Sequence, residues 1–97
     1  MIYLGIDSDR NPSYIPCVKA DTGVLVNYYG EDILVEPWAT HIATDKDGKV
    51  HCYDFEPVLV KSEKQWVMDG KGFLVRYCGE VDLEGENWTK TCQEIVK

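Results

Sequence analysis

Both histidines of the chain, His41 and His51, fall in the stretch Trp38 to Pro57, WATHIATDKDGKVHCYDFEP, together with three aromatic residues. Between them Asp45, Lys46, Asp47 and Gly48 form a tight turn in which Gly48 takes the positive φ that closes a short hairpin. Pairing Asp45 with Lys49 sets Ala43 opposite His51, His41 opposite Tyr53 and Ala39 opposite Phe55, all on one face. The histidines then become diagonal neighbours, roughly 5 to 7 Å apart at Cβ, a span two imidazoles can bridge around one metal ion. Cys52 faces the other way and no third ligand is identifiable. A plain face of aromatics and imidazoles is therefore expected, with no metal, no cofactor and no catalytic residue.

Other acidic groupings carry weaker chemistry. Asp45-x-Asp47-Gly48 resembles the acidic half of a calcium loop, but aligning Gly48 with the loop glycine leaves Ala43 at the first ligand position. Asp7 and Asp9, after an apolar strand, read either as paired carboxylates for magnesium or as solvated loop acids, and the second is expected because no glycine-rich phosphate loop accompanies them. Ser8 and Ser13 have no placed histidine, and no cysteine has one in register. In GEVDLEGE, the acids Glu80, Asp82, Glu84 and Glu86 alternate with Val81, Leu83 and Gly85. An extended strand puts such acids on one face at roughly 6.7 Å steps, a row that mimics nucleic-acid charge or simply protects a sheet edge, and like-charge repulsion with the flexibility of Gly85 favours a break before Glu86. Nine Trp and Tyr residues exceed what one small core readily buries, and the surplus points to an interface or ligand platform.

The elements that position these residues read as successive hairpins. Turn signals recur at Asp21 to Gly23, Asp45 to Gly48 and Asp69 to Gly72, flanked by β-branched and aromatic residues. Strands are expected over Ile2 to Ile6, Tyr14 to Lys19, Val24 to Tyr29, Ile33 to Val35, Thr40 to Thr44, Lys49 to Phe55, Pro57 to Lys61, Gln65 to Met68 and Phe73 to Leu83, with a bend or bulge at Gly79. Helical spacing occurs only at Trp88, Cys92, Ile95 and Val96, with Asn87 as N-cap. The expected fold is mainly β, antiparallel hairpins forming a small sheet, sandwich or partial barrel, with a short C-terminal α-helix, in one domain over residues 1–97.

Composition sets the outer bounds. Of 97 residues 44% are hydrophobic and 28% charged, the balance of a folded globule. A net charge of −7 argues against direct nucleic-acid binding, because neutralising phosphates takes many exposed Lys or Arg. MIYLGIDSDR has no basic leader and no segment approaches a membrane span, which places the chain in the cytoplasm. There Cys17, Cys52, Cys78 and Cys92, which include no CxxC pair, are expected as free thiols.

WATHIATDKDGKV, YDFEP, the isolated Trp66 and the closing GENWTKTCQEI together resemble small accessory proteins encoded by bacteriophages. The resemblance covers Trp38 to Ile95 and brings no catalytic residues. It implies a bacterial host cytoplasm and a non-enzymatic protein that binds and occludes a host protein, possible targets including host defence. Contact groups are then expected at Glu80, Asp82 and Glu84 and at exposed aromatics around Trp38 and Tyr53. A second expectation is an oligomeric sponge for a nucleotide signal, with Arg76, Arg10 and Lys71 reaching phosphate. A third is a phage structural or decoration protein, and a metal hydrolase built on His41 and His51 comes last. Unpaired strand edges make a homodimer the preferred state.

Overall fold

The computed structural model describes residues 1–5, 22–68, 70 and 74–96. The expected strand Tyr14 to Lys19, the carboxylates Asp7 and Asp9, both serines named with them, Cys17, Arg10 and Lys71 lie outside the described residues. So does all of the third turn except Gly70.

The fold is mainly β and antiparallel. In chain order its strands are β1 (Ile2–Gly5), β2 (Val24–Tyr28), β3 (Glu31–Val35), β4 (His41–Thr44), β5 (Lys49–Tyr53), β6 (Val58–Val60), β7 (Gln65–Val67), β8 (Val75–Asp82) and β9 (Gln93–Glu94). A five-stranded sheet has the order β1-β8-β5-β4-β9, while β2-β3 and β6-β7 are separate hairpins. The β4-β5 hairpin has the register that its turn demands, with His41 opposite Tyr53 and Ala43 opposite His51. Among the described residues no helix is long and apolar enough to cross a membrane.

The alternation of side chains along β5 divides the sheet into two faces. Val50 and Cys52 point to one face, where they join Ile42, Cys78 and Val81 beneath Tyr28, Ile33 and Val35 of the β2-β3 hairpin. Contacts of β3 with β8 and β1 place that hairpin over the sheet. His51 and Tyr53 point to the other face with Tyr77, whose ring centroid lies 5.6 Å from that of His51. There β7 packs against β4. One sheet thus separates two covering hairpins, and its first face holds the main apolar core.

Gly79 is where β8 departs from regular pairing. Val50 pairs with Gly79 and His51 with Tyr77, so Cys78 is the extra residue of a bulge. Gly79 has φ +126°, and a Cβ there would lie 2.6 Å from the Tyr3 hydroxyl. That hydroxyl donates to the Cys78 carbonyl at 2.7 Å, so the missing side chain lets β1 close on the bulge.

The carboxyl end differs from the expected helix. Asn87 does cap, accepting from Thr89 N at 3.1 Å, but only a 3-10 turn over Trp88–Lys90 follows. The chain then becomes β9, paired with β4. A buried polar node holds it there. Tyr28 donates to the Thr91 carbonyl at 2.9 Å and shares a 2.7 Å hydrogen bond with Thr44 Oγ1, while Thr44 N donates to Thr91 Oγ1 at 2.9 Å. Ile95 N adds a 2.7 Å bond to the Thr40 carbonyl. These sheet and side-chain bonds outweigh the helix signal of four spaced apolar residues, too short to be stable alone. Ala39 also differs from its expected place. Its N–H bonds back to the Glu36 carbonyl at 3.0 Å in a turn, and its methyl enters the core on the face away from His51.

Candidate functional site

The β4-β5 turn borders two depressions on the surface of the described residues. Asp45 N donates to the Lys49 carbonyl and Gly48 N to the Asp45 carbonyl, both at 3.0 Å. Gly48, at φ +90°, completes the three-residue loop. Its carbonyl accepts from Val81 N at 2.8 Å, and a Cβ there would collide with the Val81 carbonyl oxygen. The turn is therefore locked against β8. Asp47 Oδ1 accepts from Lys49 N at 3.1 Å. Both aspartates of the calcium-like pattern thus serve backbone amides, since Asp45 Oδ1 accepts from Trp66 N at 2.8 Å.

That last bond is the clamp that seats the β6-β7 hairpin. Lys46 N donates to the Lys64 carbonyl at 3.2 Å beside it, and the Trp66 indole donates to the Trp88 carbonyl at 3.2 Å. Between β7 and β5 a groove of about 260 Å³ remains, lined by Asp45, His51, Tyr53, Trp66, Met68 and Val75 among others. Asp45 also borders a second depression of about 350 Å³ that includes Asp47, Glu63 and Lys64.

Burial dominates the electrostatics of this groove. Asp45 is only 8% exposed, and desolvation pushes its carboxyl up to about 6 although the Trp66 N–H opposes the shift. His51, also 8% exposed, is pushed down to about 4 by desolvation. Asp45 Oδ2 lies 3.8 Å from His51 Nδ1, too far for a hydrogen bond. At neutral pH a carboxylate therefore lies beside an uncharged imidazole, and the pair is not a salt bridge. Burial likewise raises the Tyr53 phenol above its usual range. The arrangement offers a hydrogen-bond acceptor with negative charge in a largely desolvated, aromatic setting.

The two histidines are diagonal neighbours, yet their surroundings differ. His41 Nδ1 lies 2.9 Å from Thr40 Oγ1 and its Nε2 lies 3.9 Å from Glu56 Oε1. Among the described residues no group of three His, Cys, Asp or Glu is placed to hold a metal. Cys52, Cys78 and Cys92 are free thiols.

The acidic row is shorter than an extended strand through Glu86 would make it. β8 ends at Asp82, and Leu83 to Glu86 form a turn in which Glu84 has φ +50° and Glu86 N donates to the Leu83 carbonyl at 2.9 Å. Glu80 and Asp82 keep a common face by alternation, with Lys49 opposite Glu80 and Ile2 opposite Asp82. Glu84 instead reaches the amino terminus, its Oε1 3.2 Å from the Met1 nitrogen.

Tyr53 is corrected from an exposed contact group to a buried one, 2% exposed on the sheet face next to the β6-β7 hairpin. Trp38 is half-buried against the core, and the Arg76 guanidinium carbon lies 5.8 Å from its ring centroid. Arg76 Nη1 also donates to the Val75 carbonyl at 3.0 Å. Sequence reasoning missed the Asp45 to Trp66 clamp, which joins residues 21 apart. Its only trace in the sequence was a turn aspartate and an isolated tryptophan. Comparison with family models, curated proteins and solved structures finds no match to this chain.

Proposed function

We propose that this chain is a non-enzymatic binding protein that covers a surface of another protein. Following the phage resemblance of its sequence, the partner is a bacterial host protein. The observation that supports this reading is the composition of the β1 edge. β1 is an outer strand of the five-stranded sheet among the described residues, and its sequence, IYLG, has neither charge nor proline to blunt it. Ile2 is 46% exposed and Leu4 53% exposed. Ile2 pairs with the exposed Asp82, and Glu84 is fixed nearby through the amino terminus. An apolar strand edge bordered by acids suits a partner that adds a strand or packs an apolar surface rimmed with Lys or Arg.

The test is quantitative affinity capture from bacterial cells, comparing the tagged chain with an Ile2→Lys/Asp82→Lys variant. Both substitutions fall at exposed positions, so the thermal transition is expected to stay within a few degrees. A host protein enriched by the unaltered chain and lost with the variant supports the reading. Equal capture by both would remove β1 and Asp82 as the contact surface.

A further inference from the structure

The groove between β7 and β5 holds a buried carboxylate that, among the described residues, has no lysine or arginine within ion-pair distance, Lys49 acting on it only from farther off. Among the described residues, the only ionisable nitrogen paired with Asp45 is His51 Nδ1 at 3.8 Å, and that ring is neutral at physiological pH. Lys49, the nearby lysine in sequence, directs its Nζ to Asp47 Oδ2 at 3.8 Å. Desolvating a carboxylate without a counter-ion is costly, and an incoming cation offsets that cost with a charge-assisted hydrogen bond.

We propose that this groove is a socket for one arginine or lysine side chain of a partner protein, with Asp45 as counter-ion and Tyr53 and Trp66 as aromatic walls. Charge complementarity selects the occupant. The chain carries a net charge of −7, and in the adjoining depression that shares Asp45 the charges of Asp47 and Glu63 are matched by Lys46 and Lys64, which leaves Asp45 as the unmatched charge there. The apolar part of the lining suits the rest of such a side chain. Met68 and Val75 supply apolar surface for a methylene stem, and the aromatic residues favour a guanidinium or ammonium head. Protein side chains fit better than a free nucleotide, whose phosphates the carboxylate would repel.

The socket deepens the binding reading in that it takes the occupant to be a protein side chain. It is built from residues other than the β1 edge, so either surface can fail alone. The charged groups nearest Asp45 are Lys46, Asp47, Lys49 and His51 of its own hairpin and Glu63 and Lys64 of the turn before β7. A substitution at Asp45 itself separates it from them.

The experiment is a two-dimensional amide NMR titration at pH 7.5 with N-acetyl-arginine methylamide, N-acetyl-lysine methylamide and the uncharged N-acetyl-citrulline methylamide. Saturable shifts are expected at the Trp66 amide with both cations, with binding about tenfold weaker for citrulline. Asp45→Asn should remove the difference between arginine and citrulline. The Trp66 indole resonance, which reports the bond to the Trp88 carbonyl, shows whether the hairpin is still seated in that variant. Should it be unseated, the unaltered protein at pH 5 decides, because protonating Asp45 should weaken arginine binding by about tenfold. Equal binding of arginine and citrulline, equal binding at both pH values, or no shift at Trp66 would overturn the socket. Tighter binding of putrescine than of either blocked amino acid would assign it to free polyamines and overturn the protein occupant.

Discussion

Asp45 and His51 should give this protein two opposing pH dependences that partly cancel until one residue is removed. The carboxyl is pushed from 3.8 up to about 6 on folding. Its protonation therefore contributes stability that is fully present below pH 3.8 and lost as pH rises through about 6. The imidazole is pushed from 6.5 down to about 4. Its contribution is present above pH 6.5 and lost as pH falls through about 4. Between pH 7 and 5 the linkage relation gives a loss of about 2 kcal/mol from His51 and a gain of about 1 kcal/mol from Asp45. Burial leads both shifts and neither residue is among the causes acting on the other, so each dependence should survive loss of its neighbour. Urea unfolding of Asp45→Asn and His51→Gln at pH 7 and 5 measures this. Acidification should destabilise Asp45→Asn relative to His51→Gln by about 3 kcal/mol, the sum of the two contributions. Groups elsewhere in the chain shift both variants together and drop out of that difference. Equal pH dependence in the two variants would show that burial does not hold these groups as described.

Three further outcomes follow from the packing. Gly79→Ala should cost about 2 to 4 kcal/mol, because the new Cβ meets the Tyr3 hydroxyl at 2.6 Å in a positive-φ backbone, and amide exchange in β1 should accelerate most. Tyr28→Phe leaves the buried Thr44 and Thr91 groups short of a partner and should lower stability by about 1 to 3 kcal/mol in chemical denaturation, with β9 amides exchanging sooner. Mass-spectrometric mapping of maleimide labelling in the native protein should find Cys92 modified slowly, its thiol raised to about 11 by burial, and the fully buried Cys52 and Cys78 slower still. Labelling of Cys78 ahead of Cys92 would contradict the placement of the bulge in the core.

Local chemistry made much of this fold readable. Asp45 to Gly48 is a turn whose geometry fixes the pairing of the strands on either side, so the His41 to Tyr53 and Ala43 to His51 pairs follow from the residues alone. Gly79 announced the bulge for the same reason. What escaped was set by partners distant in sequence. Tyr53 reads as one more aromatic on a half-exposed face until Trp66 is tied across it by Asp45. The closing segment reads as a helix because its apolar residues recur at helical spacing, whereas Thr91 and Ile95 find hydrogen-bond partners on β4 and its flank. The expected strand stopped at Leu83, short of Glu86, and β8 ends one residue earlier at Asp82, ahead of a turn in which Glu84 is left-handed. The candidate groove was legible only as separate parts, a turn carboxylate, an imidazole and a lone tryptophan.

Native mass spectrometry of the protein gently purified from bacterial cells tests the binding account most directly. The account predicts a complex whose mass is that of this chain plus a host protein, absent when Ile2→Lys/Asp82→Lys replaces the unaltered chain. A species heavier than the chain by only a few hundred daltons, or the bare chain alone, would contradict it.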